Sequence, residues 1–467
     1  MDNAYDSFKN AVINAFADCD DFVCGESGQA GNRFALLFVK GITSRDFISE
    51  RILRPLQLAD MSNFNGDFGN LIESPNLSAP KDANDAARSV AFGEALIITE
   101  SKNGFFATLA NAQYTHGRSV DEPDSDVTVR GPKAGFVEDA ETNMALIRKY
   151  IRSPDMKFVR FRVGDVSQTK VIVAYVSGRA TDTLINDIKR RIADLKATAI
   201  TDSGNVAMLL DGNKSRFLPT CGSTEKVDKL ASKLMAGRVA IIVDGSPFVL
   251  TIPFLFAECL QSADDYLHTP YYATFIRVLR LIAFVSAIFA PAVLCALVSY
   301  DYAKMPPQLY GIIAQSRKDI PLSFFGEVVV ILLLFEILRE VGVRMPRSVG
   351  DAVGIVGSII LGNTAVEAGI VSSVGVITVA FSAVCAFITP AYMYVIVIAR
   401  IVSLLLAELF GIYGLGLSAT VLMLMICAKN SFGTPYLFPL SPFDKKGMQD
   451  FVFSCPKKVL GRKELDE

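Results

Sequence analysis

The stretch Gly350–Val371 reads GDAVGIVGSIILGNTAVEAGIV, apolar enough for a membrane yet holding residues that a plain spanning helix avoids. Gly350, Gly354, Gly357 and Gly362 fall near helical spacing. Gly350-x-x-x-Gly354 and Ser358-x-x-x-Gly362 are small-residue pairs that let helix backbones approach closely. Asp351, Asn363, Thr364 and Glu367 carry polar and ionisable groups to or into the hydrocarbon. Such groups are costly there and face a bundle interior or an aqueous cavity, which makes the stretch a functional candidate. The plainer expectation is a tightly packed helix with hydrogen-bonded polar groups and no transport role. A backbone break at Gly362-Asn363 needs water or protein partners at membrane depth, so a broken or re-entrant helix is predicted around 350–371.

Outward from this stretch, charge bounds the membrane half. Leu281 to Tyr300 is uncharged, follows Arg277 and Arg280, and is long enough to span. Ile320 to Leu338 is a second apolar run, interrupted by Glu327 and Glu336 and ending in REVGVRMPR. Basic residues beside a span mark its cytoplasmic side, so Arg277, Arg280, Arg339, Arg344 and Arg347 place both ends of this out-and-back pair inside. Glu327 and Glu336 stand about two and a half helical turns apart, on nearly opposite faces. Glu336 is expected to pair at the Arg339/Arg344 end, and Glu327, which lies deeper, to make an interhelical contact. Between Val349 and Ala428 the charged residues are Asp351, Glu367, Arg400 and Glu408. Lys429, Lys445, Lys446, Lys457, Lys458, Arg462 and Lys463 favour a cytosolic C-terminus and hence an even number of crossings. Gly362-Asn363, Pro390 and the Gly411–Gly416 run would break most of four further helices. Four full spans in all, plus the broken element, are expected.

Before residue 268 the chain reads as α/β protein. FALLFVKG (Phe34–Gly41) predicts a strand, and Thr43–Leu56 a helix with Phe47, Ile48, Ile52 and Leu56 on one face. Asp60–Arg88 is rich in Asn, Asp, Ser and Pro and predicts a loop. Two apolar runs flank Asn103-Gly104, a strong hairpin signal, and AETNMALIRKYIR predicts a helix to about Arg152. The same order then recurs: strands at Lys157–Val163 and Lys170–Val176, a helix with Leu184, Ile185, Ile188, Ile192 and Leu195 on one stripe, a helix over Thr224–Met235, and a hairpin turned at Asp244-Gly245. The expected organisation is a polar leader (1–32), soluble α/β subdomains over 33–152 and 153–268, an α-helical polytopic membrane domain over 269–430 and a cytosolic tail over 431–467.

Composition narrows the function classes. The chain has 467 residues, 51% of them hydrophobic, and a net charge of −2; its mean hydropathy is +0.36. Lys and Arg are scattered instead of forming a stripe, which argues against nucleic acid. With two histidines, His116 and His268, and eight dispersed cysteines, no zinc spacing assembles, and neither a metal nor a cofactor is expected. Gly25, Gly28 and Gly31 precede a strand instead of following one, contrary to a dinucleotide fingerprint. An enzyme is therefore not expected. The opening MDNAYDSFKNAVINAF lacks a basic, then apolar, signal pattern, so the N-terminal region is expected in the cytosol.

FEILREVGVRMPRSVGDAVGIVGSIILGNTAVEAGIVS, TPAY, SFGTPYLFPLSP and DGSPFVL, with Glu122-Pro123, Arg130–Pro132, Gly135-Phe136 and TNMALIRKYIR, resemble the A-subunit family of bacterial spore germinant receptors over about residues 33 to 443. Glu122, Arg130, Gly131 and Pro132 are expected to form a structural loop clasp between subdomains. The resemblance implies a multi-pass protein of the spore inner membrane, working with a transporter-like B subunit and a lipoprotein C subunit. It also implies a homo-oligomeric, ligand-gated cation channel. Asp351, Gly354, Ser358, Gly362, Asn363, Thr364 and Glu367 are then the conduction candidates, since a ring of carboxylates favours cations. The alternatives are the A-subunit-like paralogue encoded with the dipicolinate-release channel and a non-conducting scaffold.

Overall fold

The structure is a computed structural model. It describes residues 2–29, 32–59, 64–72, 74, 76–101, 104–114, 132–212, 217–262, 265, 268–344, 362–444 and 447–451.

Helix α1 (Asp2–Ala15) and strand β1 (Phe22–Gln29) come first. They are followed by β2 (Asn32–Val39) and a helical segment Phe47–Leu53 that runs into α2 (Arg54–Leu58). Next are β3 (Leu77–Ser78), α3 (Ala83–Ala91), β4 (Glu94–Ser101) and β5 (Gly104–Asn111). The strands form one antiparallel sheet in the order β1-β2-β4-β5-β3. Successive side chains of a strand point to opposite faces, and both faces here are apolar. Ala35, Leu37 and Val39 of β2 pack with Val12 of α1 and Val90 of α3, whereas Phe34 and Leu36 pack with Ile48, Ile52 and Leu56.

A second unit repeats this arrangement. It contains α4 (Ala140–Tyr150), β6 (Met156–Val163), β7 (Thr169–Val176), α5 (Asp182–Ala193) and α6 (Ser203–Leu210). Its remaining elements are β8 (Gly222–Thr224), α7 (Val227–Met235), β9 (Val239–Val243) and β10 (Val249–Ile252). The antiparallel order β6-β7-β9-β10-β8 is that of the first sheet, strand for strand. In β7, Ile172, Ala174 and Val176 face α4 and α7, while Val171, Val173 and Tyr175 face α5 and α6.

Two expectations need correction. The polar leader is not a leader: β1 is a strand of the first sheet, and α1 covers one face of it. Its sequence FVCGESGQ lacks apolar alternation because β1 is an edge strand, paired to β2 alone. The loop expected over Asp60–Arg88 contains β3 and the start of α3, whose N-cap Asp82 accepts from the Asp85 N–H at 2.7 Å.

Residues between α1 and β1 join the two units. Cys19 bridges Phe158 of β6 in parallel fashion, the Asp20 N–H donates to the Phe158 carbonyl at 2.9 Å, and the Lys157 ammonium donates to the Ala15 carbonyl at 2.7 Å. Arg148 of α4 is 1% exposed and Asp21 is 1% exposed. Arg148 Nε and Nη2 donate to the two Asp21 carboxylate oxygens at 2.9 and 3.1 Å, and Nη1 donates to the Ser153 carbonyl at 2.8 Å. Such a two-pronged contact holds both charges without water.

After β10 come α8 (Ala257–Leu260) and then α9 (Pro270–Ser299), α10 (Pro307–Ser316) and α11 (Phe324–Arg344). Residues 362–367 are helical, and α12 (Ser373–Phe387) and α13 (Met393–Ala428) complete the bundle. By length and composition, two helices among the described residues are apolar enough to cross a membrane, Pro270–Ser299 and Pro390–Ala428. The four full spans expected are not met on that measure, which α11 fails because it carries Glu327, Glu336, Arg339, Glu340 and Arg344. Gly362 and Asn363, where a break is expected, begin the described segment and are helical, and that segment turns at Gly369 (φ +66°). There the Ile370 and Gly369 N–H groups bond back to the Ala365 and Val366 carbonyls at 3.0 Å each, a helix-ending pattern that glycine favours.

α13 is not one rod. A straight helix of 36 residues would measure about 54 Å, yet Tyr392 before it and Tyr436 after it hydrogen-bond to each other. The chain reverses at Gly411 (φ 59°, ψ −135°), so that Leu422 and Ile426 of the second arm pack with Val395, Ile396 and Ala399 of the first. Tyr300 covers the bend, its ring 3.2 Å from where a Gly411 side chain would begin.

Two predictions follow from this packing. Asp21→Asn is expected to lower the unfolding free energy by about 3 kcal/mol, the cost of breaking a buried pair; thermal unfolding of the purified chain would measure it. A loss no larger than that of Asp187→Asn, which breaks the exposed pairs to Arg190 and Arg191, would show that the clasp carries no weight. Gly411→Ala, in a backbone conformation nearly confined to glycine, is expected to cost about 1–3 kcal/mol. Gly416→Ala, in a helix with nothing within 4 Å of the added carbon, should not lower the melting temperature.

Candidate functional site

The sheets and the helices meet in one buried joint. The segment following β10 projects Phe254 and Phe256 against Phe284 of α9 and Tyr392. The Phe256, Phe284 and Tyr392 rings stand 5.7 to 6.0 Å apart, edge to face, an arrangement that adds about 0.5–1.5 kcal/mol per pair to area burial. The chain leaving α13 returns beneath them. Its strands β11 (Asn430–Ser431) and β12 (Thr434–Pro435) form a short hairpin. Ser431 Oγ donates to the Thr220 carbonyl at 2.9 Å and accepts from the Phe254 N–H at 3.1 Å. The Phe256 N–H donates to the Tyr436 carbonyl at 3.0 Å.

Charges brace the rim. Asp265 accepts from Arg277 Nε at 3.1 Å and from Arg280 Nη1 and Nη2 at 2.7 and 2.9 Å. Arg280 Nη1 also donates to the Leu260 carbonyl at 2.8 Å. Glu258 pairs with Lys233 at 2.6 Å and Arg238 at 3.4 Å, and Lys429 lies 3.5 Å from Asp211. Burial pushes the thiols of Cys221 and Cys259 up to about 12, so they pack as small neutral hydrophobes.

Four sequence motifs explain themselves by position. TPAY supplies Tyr392, and SFGTPYLFPLSP supplies Ser431 and Tyr436, so both meet in the joint. In DGSPFVL, Asp244 accepts from the Ala140 N–H at 3.2 Å and so holds the start of α4. In TNMALIRKYIR, Asn143 clamps both backbone groups of Val137, at 2.9 and 2.6 Å, and Arg148 makes the clasp.

Within the bundle, Glu327 is fully buried. It accepts from the Ser372 N–H at 2.8 Å and from the Ser372 hydroxyl, and lies 3.4 Å from Arg317. Ser372 in turn caps α12 through the Gly375 N–H at 3.0 Å. A side chain at Gly375 would collide with the Glu327 carboxylate. Glu336 is half-buried and lies 2.6 Å from Arg339. Asn363, Thr364 and Glu367 are exposed on the segment 362–367, and Gly362 is half-buried. Asp351, Gly354 and Ser358 lie outside the described residues, as do Glu122, Arg130 and Gly131; Pro132 is exposed. Among the described residues, no group of three or more His, Cys, Asp or Glu could hold a metal ion.

Sequence reasoning missed the Asp21–Arg148 clasp, the Tyr392–Tyr436 contact and the role of Asp265. Arg277 and Arg280 were legible only as a charge signal. Their depth, with Arg277 fully buried, needed the fold.

Two matched α/β sheets braced on a helical bundle with two candidate membrane crossings define the class. The family model for the Bacillus/Clostridium GerA spore germination protein matches residues 10–464, so the chain belongs to this family, the A subunits of spore germinant receptors. It is 34% identical to spore germination protein KA of Bacillus subtilis (strain 168) over 428 residues, 90% of this chain and 78% of that one. It is 30% identical to spore germination protein GerLA of Bacillus cereus over 449 residues, 94% of this chain and 91% of that one. The crystal structure of the N-terminal domain of the A subunit of the Bacillus megaterium spore germinant receptor GerK3 is similar at 25% identity, covering 53% of this chain and 94% of that chain, with a TM-score of 0.39.

Tyr436→Phe is expected to cost about 1–2 kcal/mol by stranding the Tyr392 hydroxyl, and the double Tyr→Phe variant should recover most of that loss. Unfolding of the four members of the cycle gives the coupling, and additive losses would show that the hydroxyls do not interact. Glu327→Leu should impair germination more than Glu336→Gln, and the reverse order would overturn the assignment of Glu327 as the pin between α11 and α12.

Proposed function

We propose that the chain is the membrane subunit through which a spore germinant receptor conducts cations. A homo-oligomer would work with a transporter-like B subunit and a lipoprotein C subunit in the spore inner membrane. The observation that carries this reading is the exposed polar face of residues 362–367. Asn363, Thr364 and Glu367 stand outward on a bundle whose other exposed residues include Ile377, Phe381, Val384, Leu405 and Leu409. An ionisable group there calls for water or another subunit instead of lipid.

Helix direction supports a multi-pass arrangement. α9 leads away from the sheets. Phe324 and Val328 at the start of α11 pack beside Ala292 and Ala296 near the end of α9, so α11 returns. Glu327 touches Ser372 and Phe335 touches Phe387, so α12 runs parallel to α11. The arms of α13 then go out and back. α9, α11 and the two arms would make four passes, with 362–387 as the additional broken element, and an even total would keep both soluble ends on the cytosolic side, with Arg277, Arg280 and Arg339. Glu367 falls toward the far mouth, since Gly369 lies against the Asp319 carbonyl. One carboxylate per subunit would form a ring that favours cations. Ligand binding on a partner would shift this assembly between closed and open states, with the sheets forming a cytosolic collar.

Single cysteines along 352–366 are expected to react with a water-soluble thiol reagent in a helical period under germinating conditions, and bulky replacements of Gly354 or Ser358 to block ion release. Glu367→Gln should change cation flux while the complex still assembles. Protection of every cysteine in that series would make the segment packing and the chain a scaffold.

A further inference from the structure

Arg400, on the first arm of α13, is 2% exposed. Its Nε and Nη1 are buried and have no hydrogen-bond partner among the described residues. The charges acting on it are Glu336, which attracts, and Arg339, which repels. These two do not satisfy each other either. Glu336 Oε2 lies 2.6 Å from Arg339 Nη2, yet that oxygen and Arg339 Nη1 are both buried without a hydrogen bond. Guanidinium groups remain protonated at any working pH. The cluster therefore holds two permanent cations against one carboxylate, and three stranded donor nitrogens against one stranded oxygen. An uncompensated buried charge is strongly unfavourable, and a cation in this setting is stabilised by a negatively charged acceptor.

We propose that Arg400 and Arg339, with Glu336 completing the wall, form a binding site inside the bundle for one small monovalent anion of the size of chloride or formate. The anion accepts from Arg400 Nε and Nη1 and from Arg339 Nη1, which brings the cluster to formal neutrality. Its place on the first arm of α13, between the joint and the reversal at Gly411, makes the packing of that arm against α9 and α11 depend on anion occupancy. The site is independent of what the assembled receptor conducts, and its occupancy is measurable without any ion flux.

The test uses the purified full-length chain in lipid nanodiscs. Thermal unfolding is followed by reaction of the buried cysteines Cys295 and Cys385 with a fluorogenic maleimide. Sodium chloride or sodium formate is titrated at constant ionic strength made up with sodium HEPES, whose anion is too bulky for the site. A ligand that binds the folded state alone raises the melting temperature progressively with its concentration. The expected result is such a rise with either small anion in the wild type and in Arg344→Gln, and its loss in Arg400→Gln. A wild-type melting temperature indifferent to both anions, or a rise of equal size in Arg400→Gln, overturns the proposal. If Arg400→Gln does not fold, Arg339→Gln decides. Its titration curve should move to higher anion concentration, and a curve superimposable on the wild type overturns the site.

Discussion

Two tyrosine hydroxyls meeting where water is excluded set the constraint on which the rest depends. Tyr392 begins α13 and Tyr436 follows its end, so their contact requires the helix to come back on itself. The return delivers Ser431 and Tyr436 to the underside of the sheets, where they satisfy the backbone of the segment leaving β10. Without the reversal the Phe254 and Phe256 N–H groups would be buried with fewer acceptors, at the desolvation cost that stranded amides carry. The turn at Gly411 and the joint some 18 residues below it (counting 393–410) are one structural decision.

The two sheets show what kind of information a sequence holds locally. Period-two runs such as those of β2, β4, β7 and β9 were legible because both faces of each sheet are covered by apolar clusters. β1 was not, since an edge strand with the sequence FVCGESGQ takes its place by backbone pairing to β2 and not by burial of alternate residues. The short β8 and the helices α3 and α6 were missed for a related reason: polar caps and brief apolar patches resemble loop composition.

The candidate site was legible in part. Glu327 and Arg400 stand out in apolar sequence, and their charge announced a special position. What each touches could not be read, because Ser372 lies 45 residues from Glu327 and Asp21 lies 127 residues from Arg148. Pairings at that separation are products of topology. The topology also repeats, with the same strand order in both units, and the segment between α1 and β1 locks one copy to the edge strand of the other. Residues expected to form a polar leader therefore help to fix the two units in register.

The first arm of α13 is clamped at its base by the aromatic joint and free of the sheets at Gly411. At 1.5 Å per residue its 18 residues, 393–410, make a lever about 27 Å long. A tilt of the sheets by about 5° would carry the tip sideways by roughly 2 Å, an amplitude comparable to the helix shifts by which subunit interfaces switch. The second arm, fastened to the same base through Lys429 and Ser431, would share the tilt, so the hairpin would move as a pair of struts and convert rotation of the sheets into lateral travel at the far end of the bundle.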